Sequence, residues 1–165
     1  MNDSTSAPRA RTRLERHYEA KVQELWDLWT TKEGFESWWG PKGFRVEVHK
    51  LEARAGGALV YDMIAVGADE IAFMKNANMP LSHATRGTFV EVVPNKSLEL
   101  SHVIDFLPGV TPYENRIRAE FLQEGKTARM IISIEAHPSE DFSRMAVQGM
   151  ESQLTKVEEA LASRR

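Results

Sequence analysis

His102 is the side chain with the most to offer as a reactive group. It alternates in phase with Leu98, Leu100 and Ile104, so a strand would turn it toward the same interior as those apolar residues. A histidine so placed either orients a ligand or exchanges a proton near neutral pH. The competing reading is a satisfied core or rim histidine. A catalytic role would draw on Tyr61 or on Asp105, although closeness in the chain does not by itself make His102 and Asp105 a dyad. Tyr61 and Tyr113 supply hydroxyls of the kind that fix a ligand's orientation.

Other chemistries find no residues. His17, His49, His83 and His137 are scattered, with no His-x-x-x-His or His–carboxylate spacing recurring on one face, so no metal site is expected. The chain has no cysteine, which removes disulfides, thiolate zinc sites, iron–sulfur clusters and a Cys nucleophile. No nucleophile elbow surrounds a serine. Gly56-Gly57 reads as a turn, since neither a dinucleotide nor a P-loop pattern follows it. No cofactor is expected. Lys and Arg number 21 against 24 Asp and Glu in 165 residues, a net charge of −3, which disfavours general nucleic-acid binding. No run approaches the roughly 20 apolar residues of a membrane span. The polar start lacks the apolar core of a secretory signal, and with the missing cysteines this favours the cytoplasm.

The elements that must hold these residues follow from periodicity. Leu14, Arg16 and Tyr18 alternate with Arg13, Glu15 and His17, which predicts a half-buried strand over 11–18. Val22, Leu25, Trp26 and Trp29 recur at helical spacing. Thr30-Thr31 offers a cap for a second short helix that Gly40-Pro41 ends. Strands are predicted over 44–51 and 58–66, joined through Gly56-Gly57, with Leu59, Tyr61 and Met63 inward. Residues 69–82 suggest a short helix or lid that Pro80 stops. Strands over 85–93 and 98–104 and a hairpin over 114–136 follow. From Ser139, a natural cap, one long helix carries Phe142, Met145, Ala146, Gly149, Met150, Gln153, Leu154, Val157 and Leu161 on one stripe and would span on the order of 35 Å. The order is a strand, two short helices, about six antiparallel strands and a long helix: an α+β chain in which one helix covers a curved sheet. No internal repeat appears. Residues 1–10 read as a disordered lead-in to one domain over 11–165.

All four tryptophans lie between Trp26 and Trp39. Trp26 and Trp29 belong to the first helix's apolar stripe and to a core. Trp38 and Trp39 are consecutive and cannot face the same way on a helix; one is expected in the core, the other at a cavity mouth or partner surface. Met63, Met74, Met79, Met130, Met145 and Met150 fall on inward or lid positions and suit an adaptable pocket or an irregular core equally.

The run Thr30-Thr31-Lys32-Glu33-Gly34-Phe35-Glu36-Ser37-Trp38-Trp39-Gly40-Pro41-Lys42-Gly43-Phe44 resembles the signature of the family named after the activator of the heat-shock protein 90 ATPase, a branch of the START-like, helix-grip superfamily (SRPBCC). Arg54-Ala55-Gly56-Gly57 resembles the family's RPGG turn, Arg86 to Pro94 its G-x-x-x-E-V-x-P segment, and Ala146 to Leu154 the start of its closing helix. The chain departs from the pattern at Met150, where many relatives have Trp, at Ala55, where many have Pro, and in the longer segment from Asp69 to Ser82.

The resemblance implies a helix-grip fold whose sheet and closing helix enclose a cavity for an apolar or amphipathic small molecule. It implies no reaction, because such folds host carriers, receptors, cyclases and chaperone regulators. The residues expected to line the cavity are Trp39, Tyr61, Met63, Phe89, His102, Phe106, Tyr113, Met145, Gly149, Met150 and Gln153, with 69–82 and 106–113 as its rim. Gly149 is expected to admit a backbone or ligand close to the helix. Small-molecule binding is the leading expectation. A cyclase- or hydrolase-type enzyme built on His102, and a chaperone-regulating interaction module, stand as alternatives. A homodimer is expected from the habit of relatives.

Overall fold

Alternation writes the sheet. In a computed structural model that describes residues 9–165, Arg11–Tyr18 forms β1 with Leu14 and Tyr18 inward and Arg13, Glu15 and His17 exposed. Helices α1 (Val22–Thr30) and α2 (Lys32–Trp38) follow, then β2 (Phe44–Leu51) and β3 (Ala58–Ala65). Next come α3 (Ala68–Asn76), β4 (Ser82–Val93), β5 (Ser97–Ile104), β6 (Tyr113–Glu124) and β7 (Thr127–Glu135). Helices α4 (Glu140–Leu154) and α5 (Val157–Ser163) close the chain. Of the expected lead-in over 1–10, residues 1–8 lie outside the described residues. Ala10 already accepts the backbone N–H of Ala136 at 2.8 Å, so β1's pairing begins at once.

The seven strands run β1-β7-β6-β5-β4-β3-β2, every described neighbouring pair antiparallel. This is the curved antiparallel sheet of a helix-grip fold, with two short helices after the first strand and the closing helix at the end. Register shifts between Val48 and Lys50 and between Phe89 and Glu91 add local bends.

Caps set the helices. Thr31 Oγ1 accepts the Gly34 N–H at 3.0 Å, and Ser139 Oγ accepts that of Phe142 at 3.2 Å. The expected single long helix is drawn in two pieces. Thr155 and Lys156 form a tightened turn in which their N–H groups reach back only three residues, to Ser152 and Gln153. The Thr155 hydroxyl also bonds the Ser152 carbonyl, competing for it.

The core is aromatic at its centre. Trp29 lies edge-on to Trp38 and Trp39 at centroid distances of 5.0 and 5.4 Å, and Phe35 stacks on Trp39 at 4.6 Å. Both Trp38 and Trp39 are buried. They manage it because the helix stops between them: Trp39 has extended backbone at φ −71°, ψ 146° and turns its ring away from the helical direction. Each of these rings contributes roughly 0.5–1.5 kcal/mol per pair beyond its buried area.

Candidate functional site

The closing helix grips the sheet only with its second half. Met150, Gln153 and Leu154 are buried, while Phe142 and Ala146 are partly covered and Met145 is 60 % exposed. Where the first half stands away from the sheet, a cavity opens. Its inner lobe, about 180 Å³, is bordered by Tyr61 and Met63 of β3, His102 and Ile104 of β5, and Ile117 of β6, among others. Its outer lobe, about 340 Å³, shares Trp39, Met63, Phe106, Phe142, Ala146 and Met150 with the inner one and adds Pro41, Met74, Met145, Gly149 and Gln153.

At the base lies a buried polar chain. Trp39 Nε1–H donates to the Tyr61 hydroxyl at 3.0 Å, and that hydroxyl lies 3.1 Å from His102 Nε2. The Trp39 and His102 rings are nearly parallel at 6.1 Å. Burial pushes the His102 imidazolium down to about 4 and raises the Tyr61 phenol, so both groups are neutral at neutral pH. His102 Nδ1 is buried and meets no protein hydrogen-bond partner among the described residues.

Two further histidines border the inner lobe, His83 and His137. Burial is the main reason that both are lowered, His137 to about 4. Tyr113 Oη lies 2.6 Å from His137 Nδ1. Neither histidine was singled out by spacing. His83 is carried by the unexpectedly early start of β4 at Ser82, and His137 sits in the short link between β7 and α4. His83 alone carries a sequence signal: it keeps the inward phase of Thr85, Gly87 and Phe89.

Of the eleven residues expected to line the cavity, nine do so: Trp39, Tyr61, Met63, His102, Phe106, Met145, Gly149, Met150 and Gln153. Phe89 does not. It is fully buried in the core, deeper along β4 than the cavity reaches. Tyr113 does not line it either; its hydroxyl meets His137, which does. Gln153 borders the outer lobe, yet its side-chain oxygen is spent on the Gly40 N–H at 2.8 Å. The His102–Asp105 pairing does not form. Positions an odd number apart fall on opposite faces of extended chain, and Asp105 bonds Arg86 at 3.2 Å instead. Met79 is exposed and lines neither lobe, while Met145 borders the outer lobe with 60 % of its surface exposed. Of the expected rim, α3 contributes Met74 to the outer lobe while its Phe73 is exposed, and the 106–113 loop contributes Phe106. Gly149 is not forced by packing: a Cβ there would lie 3.6 Å from Pro41 Cγ, an ordinary contact.

Among the described residues, no group of three or more His, Asp or Glu side chains is placed to hold a metal ion, and no helix is long and apolar enough to cross a membrane. The arrangement can enclose an apolar body and offer it a few neutral polar atoms. It presents no charged group at the base.

A family model described as Activator of Hsp90 ATPase homolog 1-like protein matches residues 19–162. No curated protein sequence matches. Among solved structures, a protein of Chromobacterium violaceum superposes with a TM-score of 0.74 at 20 % identity, over 92 % of this chain and 96 % of that one. The AHSA1 protein of Silicibacter pomeroyi gives 0.73 at 19 %, over 94 % and 100 %. A protein of Nitrosomonas europaea gives 0.74 at 18 %, over 94 % and 96 %. At these identities the likeness is one of fold.

Proposed function

We propose, since this chain belongs to the Activator of Hsp90 ATPase homolog 1-like family, that the cavity between its sheet and α4 binds a small apolar or amphipathic molecule. One observation carries the reading: an apolar cavity of two joined lobes, the outer about 340 Å³, with a buried Trp39–Tyr61–His102 chain at its base. That volume falls in the range of small-molecule sites, roughly 300–1,000 Å³, and an apolar wall with few polar atoms is their usual make-up. Thermal shifts across a panel of apolar and amphipathic compounds, with native mass spectrometry of the purified protein, test it. A saturable rise in Tm for some members, abolished by Ala146→Trp in a variant of unchanged circular dichroism, is expected. No shift anywhere and no co-purifying molecule overturn it.

The Tyr61–His102 contact favours a second reading, proton transfer on a bound substrate by a cyclase- or hydrolase-type enzyme. A burial-lowered His102 is a weak base, which places this reading behind binding. Turnover of carbonyl substrates that His102→Ala abolishes would reverse the order.

A further inference from the structure

Most polar side chains of the inner lobe are either spent or adaptable. Trp39, Tyr61 and His102 bond one another, and His102 Nδ1 is buried. The Thr85 hydroxyl and the His83 and His137 rings also border the lobe. A hydroxyl rotates, and a neutral imidazole changes tautomer, to donate or to accept. None of these groups fixes the polarity of an occupant.

Asn115 does. It lies on β6 directly opposite His102 of β5, is 3 % exposed and borders the inner lobe. Its Nδ2–H donates to the Glu135 carbonyl at 2.9 Å. A carbonyl only accepts, so the amide cannot turn over without losing that bond, and Oδ1 is the end left over. Oδ1 meets no donor among the described residues, yet it is not sealed: it keeps accessible surface where His102 Nδ1 has next to none. In a residue this buried, that surface opens to the lobe. An amide oxygen offers lone pairs and no proton.

The surroundings narrow the donor that would meet it. Neither lobe is bordered by Lys, Arg, Asp or Glu. An ammonium seated there would lose its hydration with no counter-charge in return. A carboxylate, ketone or ether would bring only lone pairs to a lone pair. An amide would bring a carbonyl to be satisfied as well as an N–H. A hydroxyl brings one proton on an uncharged group, and Ile104, Ile117, Ile134 and Phe142 offer hydrocarbon to the rest of the molecule.

Resting on the ligand-binding reading above, we infer that the occupant is an uncharged phenol or alcohol with an apolar body, whose hydroxyl donates to Oδ1 of Asn115. The Glu135 carbonyl positions that oxygen by holding the other end of the amide.

The test uses four probes on one ring system: 2-naphthol, 2-methoxynaphthalene, 2-methylnaphthalene and 2-naphthoate. Equilibrium dialysis of the full chain at pH 7.5, where a phenol is un-ionised, is expected to give 2-naphthol a Kd on the order of ten-fold or more below each of the others. Asn115→Leu is expected to bring the ratio of naphthol to methylnaphthalene affinity close to one. Carbon NMR of the wild-type protein, which needs no variant, is expected to show the Asn115 side-chain carbonyl moving further downfield with 2-naphthol than with 2-methylnaphthalene. Equal binding of 2-naphthol and 2-methoxynaphthalene, preferred binding of naphthoate, a naphthol preference that survives Asn115→Leu, or equal carbonyl shifts each overturn the inference while leaving the ligand-binding reading standing. Absence of binding by all four probes overturns the inference, and the ligand-binding reading falls with it only if the wider panel also gives no shift.

Discussion

The side-chain oxygen of Gln153 accepts the backbone N–H of Gly40 at 2.8 Å, both groups buried. It ties α4 to the turn that follows Trp39, from opposite ends of the chain. Gln153→Leu keeps the volume and removes the acceptor. A buried N–H would be left unmet, so a loss of roughly 1–3 kcal/mol in urea unfolding is expected. Ser152→Ala, which removes the acceptor of the exposed Lys42 N–H at 2.9 Å, is expected to cost less, because water replaces that bond.

Stability should fall on mild acidification. Burial holds His102 at about 4, below its ordinary 6.5. The unfolded chain therefore takes up a proton between pH 6.5 and 4 that the folded protein refuses. Stability is full above pH 6.5 and declines as the pH falls toward 4, by on the order of 3 kcal/mol for His102 alone. His83 and His137 act in the same direction. Glu24, held low chiefly by the Lys21 N–H, and Glu91, held low by Arg118, lose their contributions only below about pH 4.5. Urea midpoints between pH 7 and 4.5 thus report mainly on histidines, and His102→Leu should flatten the curve.

Gly149→Ala should stabilise. The residue lies inside α4, and the new Cβ would meet only Pro41 Cγ at 3.6 Å. Reduced freedom of the unfolded chain is worth roughly 0.5–1 kcal/mol at a helix interior. Thermal unfolding should show a higher Tm, with probe affinity in the outer lobe changed by no more than a few-fold.

Gly56 and Gly57 should respond unequally although they are neighbours. A Cβ on Gly57 would lie 1.9 Å from the Glu52 carbonyl oxygen, backbone that cannot step aside without opening the β2–β3 connection. On Gly56 it would meet nothing within 4 Å, and the only obstacle is φ of +84°. Gly56→Ala should cost roughly 1–2 kcal/mol and Gly57→Ala visibly more in the same chemical-denaturation series.

The sequence made the inward faces legible wherever alternation was strict, as at Leu59, Tyr61 and Met63 or at Leu98, Leu100, His102 and Ile104. It concealed the other face of β5. Ser97, Glu99 and Ser101 look solvated in the pattern, yet all are buried. Glu99 is covered by Arg116 of the adjacent β6 at 3.1 Å and by Arg11 of the more distant β1 at 3.3 Å, and Ser101 donates to Glu114 at 2.7 Å. A central strand's outer face depends on the long side chains of its neighbours, which lie far away in sequence. The same limit hid His83 and His137. Each is unremarkable in its own segment, and only the folded chain brings them to the cavity that His102 also lines.

Every neighbouring pair of strands in the sheet is consecutive along the chain except β1 with β7. Among the described elements β1 comes first, and its partner, Thr127–Glu135, is the last strand. At a synthesis rate of about 5–20 residues per second, Arg11–Tyr18 waits on the order of 5–25 s on the ribosome before its partner exists. During that time it is an unpaired edge open to any other strand. Its sequence, RTRLERHY, places charges or polar groups at most positions, which discourages wrong pairing. The β1–β7 seam is therefore the step that translation delays longest, and the charged face of β1 keeps that interval safe.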